Sequence, residues 1–368
     1  MLKKKDGKFV YRIEKKKLML HLLKGLLDRF FFSEETVYFA LFLLGAFLLL
    51  FFFGGILLPI LISLVVAFLL NGLVLTLENF KFPRWLSLTT SLLVFFALYT
   101  SLFLILPSIG SQINSLIQSL PNIVEALQQA LSNLASSYPE FFSEDEIPSL
   151  FANLSSQLNN LLAQALGQIA GTISFAFSAL IYAILIPLMV FFFVKDKDTL
   201  LPLISFFAPE EKGLMDSIFN EMNDQLYNYV TGKLIEIFIV TSVSFIAFTF
   251  LGLPYTFLLA LLVGLSVMIP FFGAILVTVP VLLVGLYEWG ISADFWWLLG
   301  IYLIIQALDG NVLVPLLFSA RNKLHPVVIV ISVLFFGGIW GFWGLFFAIP
   351  LATFVKAIIN SWPQQTLE

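Results

Sequence analysis

Asp309 is the residue whose type and placement can do chemistry. It stands nine residues before Phe318 in an apolar run, about 14 Å from the end of that run at 1.5 Å per helical residue. An acid at that depth in a membrane span is costly and is by default a functional group. Gln306 lies one turn earlier on the same face, Asn311 adds a polar group, and Gly310 and Pro315 can loosen the helix and free carbonyl oxygens. Such a set suits a proton, a cation or a small polar solute; the competing reading is an acid hydrogen-bonded to a neighbouring helix. Glu236 is a second acid, three residues into another apolar run and near Lys233, and it reads first as an interfacial carboxylate and second as a member of the same site. Enzymatic chemistry is not expected. There is no Cys, His21 and His325 are far apart, no paired carboxylates or Ser/His pair converge within the apolar runs, and no phosphate loop, dinucleotide fingerprint or zinc-protease motif occurs. No cofactor is expected; coupling to protons or sodium is the expectation that Asp309 raises.

The elements that must hold these residues are membrane helices. Of 368 residues, 60% are hydrophobic and 11% charged, against roughly 45–50% and about 25% in soluble domains. Apolar runs at 37–53, 56–77, 85–107, 169–194, 234–251 and 295–318 can each cross as one helix. Two further stretches, 255–287 and 326–359, are too long for one span and too short for two. Each carries a central break: Pro270, Phe271, Phe272 and Gly273 in the first, and Gly337, Gly338, Gly341 and Gly344 in the second. The expected fold is therefore an all-α polytopic membrane protein with about six full spans, two re-entrant helical hairpins and an external helical hairpin.

Charge sets the orientation. Ten of the 19 Lys and Arg precede residue 30, and none lies between Arg84 and Lys195, so a basic cytoplasmic segment at 1–36 precedes helices 1–3 at 37–107 and an extracytoplasmic hairpin at 108–168. Span 4 at 169–194, a cytoplasmic segment at 195–233, spans 5–6 with both re-entrant hairpins at 234–360, and a tail at 361–368 complete the drawing. Both termini and all basic residues are then cytoplasmic, in an inner (plasma) membrane. A basic tail can bind nucleic acid, but this one precedes a span and no other basic patch follows, so lipid is its expected partner. Outside, Ile109, Ile113, Leu116, Leu120, Ile123, Leu127, Leu131 and Leu134 form a near-heptad stripe, with Pro121 a kink or restart, and a second stripe runs from Phe151 to Ile169. The cytoplasmic segment reads as a short charged loop and then a helix over about 209–230.

Specific motifs point further. Gln306, Asp309-Gly310-Asn311-Val312-Leu313-Val314-Pro315, Leu324-His325-Pro326, the glycines from Gly337 to Gly344, and Ala348-Ile349-Pro350-Leu351 resemble the autoinducer-2 exporter family, also called the PerM-like permease family. Gly232-Lys233, Leu251-Gly252-Leu253-Pro254 and Ile269-Pro270-Phe271-Phe272-Gly273 support the resemblance, which covers about residues 35–360. It implies a transporter of a small solute or ion, with signalling-molecule export or sodium or proton antiport among its members, often as homo-oligomers. Phe271 and Phe272 stand where members often carry Tyr and a small aliphatic residue, so that tip lacks a hydroxyl. The alternatives to solute transport are a monovalent cation/proton antiporter and a non-transporting membrane scaffold.

Overall fold

A computed structural model of the chain describes residues 34–137, 172–205, 213–270, 272–318 and 324–362. Every regular element among them is helical. The described residues fall into two compact units: one holds those up to Leu61, those within 196–224 and those from Thr353 onward, and the other those within 62–195 and 225–352.

Helix α1, Glu34–Asn79, is 46 residues long and runs unbroken through Gly54 and Gly55. The separate spans expected at 37–53 and 56–77 are one helix, because neither glycine takes the left-handed conformation a reversal needs; the first positive φ after it is at Lys81. Helix α2, Arg84–Ser137, is likewise continuous through Pro107 and Pro121 for 54 residues, so the third span and the first external arm are one rod and Pro121 is not a restart. The second external stripe and the intervening turn lie outside the described residues. Part of the first stripe has a partner of another kind: Ile123 is buried, with Leu116 and Leu120 beside it, in a core that includes Leu251, Leu253 and Tyr255. Ser119 and Tyr255 hydroxyls share a 2.8 Å hydrogen bond, and the Leu258 N–H donates to Gln112 Oε1 at 3.0 Å.

After α3, Thr172–Lys195, the expected charged loop contains a nine-residue helix, α4, Lys197–Ser205. Helix α5, Gly213–Leu251, then runs 39 residues without a break between cytoplasmic segment and fifth span. In the first unit, Phe39 of α1, Ile218 of α5 and Ala357 form one core with Met222, Phe354 and Trp362, and the Phe39 and Trp362 rings lie 6.4 Å apart.

The second unit holds both helical hairpins. The first is α6, Thr256–Ser266, and α7, Phe272–Trp289, joined by the break expected at Pro270 to Gly273. The arms meet so closely that a Cβ on Gly273 would collide with the Ser266 carbonyl. Helix α8, Ala293–Leu308, returns along α7, and a π-helical segment, Asp309–Leu313, leads into the short α9, Val314–Leu317. The second hairpin lies within α10, Pro326–Phe346, which Gly341 interrupts at φ 57°, ψ −133°. Phe336 and Gly344 are eight positions apart, about 12 Å along a straight helix, yet a Cβ on Gly344 would strike the Phe336 carbonyl: the chain reverses here. Helix α11, Ala348–Ser361, follows.

Among the described residues, six stretches are long and apolar enough, by residue count and composition, to cross a membrane: Thr36–Asn79, Arg84–Asn133, Gln225–Leu251, Phe272–Trp289, Ala293–Leu317 and Pro326–Phe346. Six spans were expected, but the membership differs. The first two expected spans have merged, the described apolar part of α3, Ala179–Lys195, is shorter, the stretch 255–287 contributes a helix of spanning length, and Pro326–Phe346 qualifies by residue count and composition although Gly341 reverses it. Large apolar side chains face outward along these rods, Phe250 being 88% exposed, which is a surface suited to lipid rather than water.

Candidate functional site

The face of α5 that turns inward carries Tyr229, Lys233, Glu236, Val240, Ser244 and Phe248, spaced by threes and fours and all buried. Within this stripe Lys233 Nζ donates to Glu236 Oε2 at 2.8 Å, one turn apart, with the two side chains 7% and 1% exposed. Glu236, read from the sequence as an interfacial carboxylate near Lys233, has Lys233 as its partner and is buried with it. The preceding residue, Gly232, leaves room for the Phe318 ring, which a Cβ there would meet at 2.9 Å, and that ring lies 5.5 Å from the Lys233 ammonium. Aromatic faces attract such a cation.

Asp309 sits where the helix loosens. The Val314 N–H reaches five residues back to the Asp309 carbonyl, the widened turn that Gly310 and Pro315 announce. Its side-chain Oδ1 is buried and has no hydrogen-bond partner among the described residues. Among the described residues, Lys233 is the cation within electrostatic range of Asp309, and Glu236 in turn feels Asp309. Lys233 and Glu236 are buried and Asp309 is half-buried with one oxygen enclosed, and leaving an enclosed carboxylate oxygen without a partner is costly.

Gln306 points elsewhere. Its Nε2 donates to the Tyr302 hydroxyl at 2.8 Å; that hydroxyl donates to the Ala274 carbonyl at 3.0 Å, and the Thr278 hydroxyl lies 3.1 Å from it. The turn before Asp309 is in this way fastened to α7. Asn311 is exposed and donates to the Ala307 carbonyl of its own helix at 2.8 Å, and Gly310 faces open space. Neither adds a ligand to the acid.

The pattern of the AI-2E family transporters matches residues 38–364. The chain is 39% identical over 346 residues, 94% of its length and 98% of the relative's, to PerM of Escherichia coli (strain K12), which bears a permease's name. YrrI of Bacillus subtilis (strain 168), named as a transport protein, is 30% identical over 47% of this chain and 49% of its own. The chain belongs to the AI-2E transporter family. It is a multi-pass membrane transporter.

In this AI-2E transporter the hairpins converge beside the ion pair. Met268, near the first tip, and Phe346, after the second, are buried in one cluster with Tyr229 and Val230, against which Phe318 and Phe347 pack. The Tyr229 hydroxyl donates to the Phe346 carbonyl at 3.1 Å. Of the tip residues, Pro270 accepts a backbone hydrogen bond from Phe272 at 2.8 Å, Gly273 and Gly344 make the close approaches, Gly337 abuts Leu345, Gly341 makes the turn, Gly338 faces open space, and Phe271 lies outside the described residues. His325 starts α10, its Nδ1 accepting from the Val327 N–H at 3.3 Å, while Arg321 and Lys323 are outside the described residues. Sequence reasoning missed Tyr302, Thr278, Tyr229 and Phe318, and treated Lys233 only as a neighbour. Two signals were available: Tyr302 precedes Gln306 by four residues and Lys233 precedes Glu236 by three, the spacings at which helical side chains meet.

Proposed function

We propose that this family member moves a small solute across the bacterial inner membrane by alternating access, and that Asp309 couples the movement to a proton or a sodium ion. The observation that carries this reading is the buried Asp309 oxygen without a partner at a π-helical break, beside the buried Lys233–Glu236 pair. Single π turns inside helices are frequent at functional sites, and an acid at membrane depth is by default a functional group. The two hairpins, meeting at the Tyr229 cluster, are the elements whose relative movement would open the site to one side and then the other.

An orientation with the first unit on the cytoplasmic side is supported by its core and by charge. The beginning of α1, the Ile218 region of α5 and the Ala357 region of α11 share one core, so they lie on one side. Ten basic residues before residue 30 favour the cytoplasm for that side. This assignment rests on the cluster and the basic segment, not on a count of crossings.

A second reading, a monovalent cation/proton antiporter, draws on the excess of acid over base at the site. Reconstituted vesicles with an internal pH dye distinguish the two. Sodium or potassium pulses that move protons without added solute favour the antiporter, whereas solutes first selected by thermal stabilisation of the protein should drive proton or sodium movement on the principal reading. Asp309→Asn should reduce coupled flux at least tenfold while leaving the folded yield unchanged. Full coupled flux in that variant rejects the role of Asp309.

A further inference from the structure

The Lys233–Glu236 pair has a feature that simple packing does not need. Both ions are taken almost wholly out of water, which costs several times what an exposed pair costs, and an apolar pair would fill the same space without that cost. The ammonium has three donors, of which Glu236 Oε2 takes one, and it sits on a flexible four-carbon stem over the Phe318 face. Among the described residues, the titratable groups facing the pair are Tyr229 on α5 and Asp309 on the neighbouring span. The hairpins contribute Met268, Phe346 and Phe347 at this point, all uncharged. With both acids ionised, the trio Lys233, Glu236 and Asp309 therefore keeps one negative charge, and the Asp309 oxygen has no donor to hold it.

We propose that Lys233 is the resident counter-ion of the site and fixes its occupancy at one positive charge: the ammonium neutralises one of the two carboxylates, leaving the other for one proton or one monovalent cation. The proposal rests on the reading of Asp309 given above and deepens it, since it sets how many charges accompany each closed site. A closed site that lacks the extra charge leaves a carboxylate unpaired in low dielectric, so closure without an occupant is disfavoured. The variants alter the count in a simple way. Removing Lys233 leaves two acids to be neutralised; removing the Glu236 charge lets Lys233 serve Asp309 and leaves none.

The test reads protonated carboxylic acids by infrared spectroscopy of the full chain in lipid vesicles, in choline chloride, where protons are the available occupant. The wild-type band should be lost in Asp309→Asn, absent in Glu236→Gln, doubled in Lys233→Met, and restored to the wild-type area in Lys233→Met/Glu236→Gln. The double variant leaves no unpaired buried ion and guards against a single variant that does not fold. Replacing choline by sodium should leave the bands unchanged if the proton is the natural occupant and shrink them if sodium is. A wild-type band that persists in Glu236→Gln, a double variant with no band, or a wild type with none overturns the proposal. These measurements involve no flux, so the coupling role of Asp309, tested by transport, and the charge count set by Lys233 fail separately. A band that survives in Asp309→Asn overturns both.

Discussion

The two hairpins reverse by the same device and are held by different forces. Each brings a glycine against a backbone carbonyl, Gly273 on Ser266 and Gly344 on Phe336. The first is then fastened on three sides: to α2 through the Gln112–Leu258 hydrogen bond, to α5 through Gly264, which abuts the Ile237 carbonyl, and to α8 through Tyr302. The rings of the second pack largely on one another, Trp343 stacking on Phe347 and Phe346 edge-on to both, and its tie to α5 is Tyr229, whose ring lies edge-on to Phe346 and whose hydroxyl donates to the Phe346 carbonyl. Hydrogen bonds demand fixed geometry, and the first hairpin has more of them to other helices than the second. We infer that the first hairpin is the frame that positions Asp309, and that the second is the element that moves against the Lys233–Glu236 helix.

The largest expected effects are at the shared device. Gly273→Ala and Gly344→Ala each drive a methyl into a carbonyl that cannot rotate away, and each should cost more than about 3 kcal/mol, the upper end of ordinary overpacking. Thermal unfolding in detergent measures both; a tolerated Gly344→Ala would show that the second reversal is looser than drawn. The fastenings come next. Tyr302→Phe removes the hydroxyl shared by Gln306, Thr278 and the Ala274 carbonyl, for an expected loss of about 2–3 kcal/mol, and Tyr229→Phe removes the one to Phe346, for about 1 kcal/mol. Equal losses would break the distinction between frame and mover. On the same argument, Tyr302→Phe should impair coupled flux by disturbing Asp309, while Tyr229→Phe should change the rate of transport with coupling intact.

What the sequence disclosed tracks what is local. Proline and glycine act on their own backbone, so the breaks at Pro270 to Gly273 and Gly337 to Gly344 could be read directly, as could the loosened helix at Asp309 with Gly310 and Pro315 nearby. Glycine permits a break without compelling one, which is why Gly54 and Gly55 misled: α1 passes through both in helical conformation. Burial of Glu236 was not legible, because it depends on Phe318 and both hairpins closing over α5, contacts remote in sequence. The same holds for the stripe at Leu116, Leu120 and Ile123, whose spacing disclosed a buried face but not that Leu253 and Tyr255 would cover it.

The smallest expected effect separates the glycine beside the acid from those at the tips. Gly310 has no atom within reach of an added Cβ, and its neighbours Leu308 and Asp309 hold φ near −67° and −58°, ordinary helical values. Gly310→Ala should therefore shift stability by no more than about 1 kcal/mol, and toward greater stability, since alanine favours the helix over glycine by about that amount. Flux decides what the residue is for. If Gly310→Ala is stable and transports normally, Asp309 and its missing partner suffice to make the site, and the widened turn only records local strain. A stable variant with slowed transport would instead make the flexibility of the Asp309–Leu313 turn part of the cycle, adding a second moving part to the hairpin inferred above.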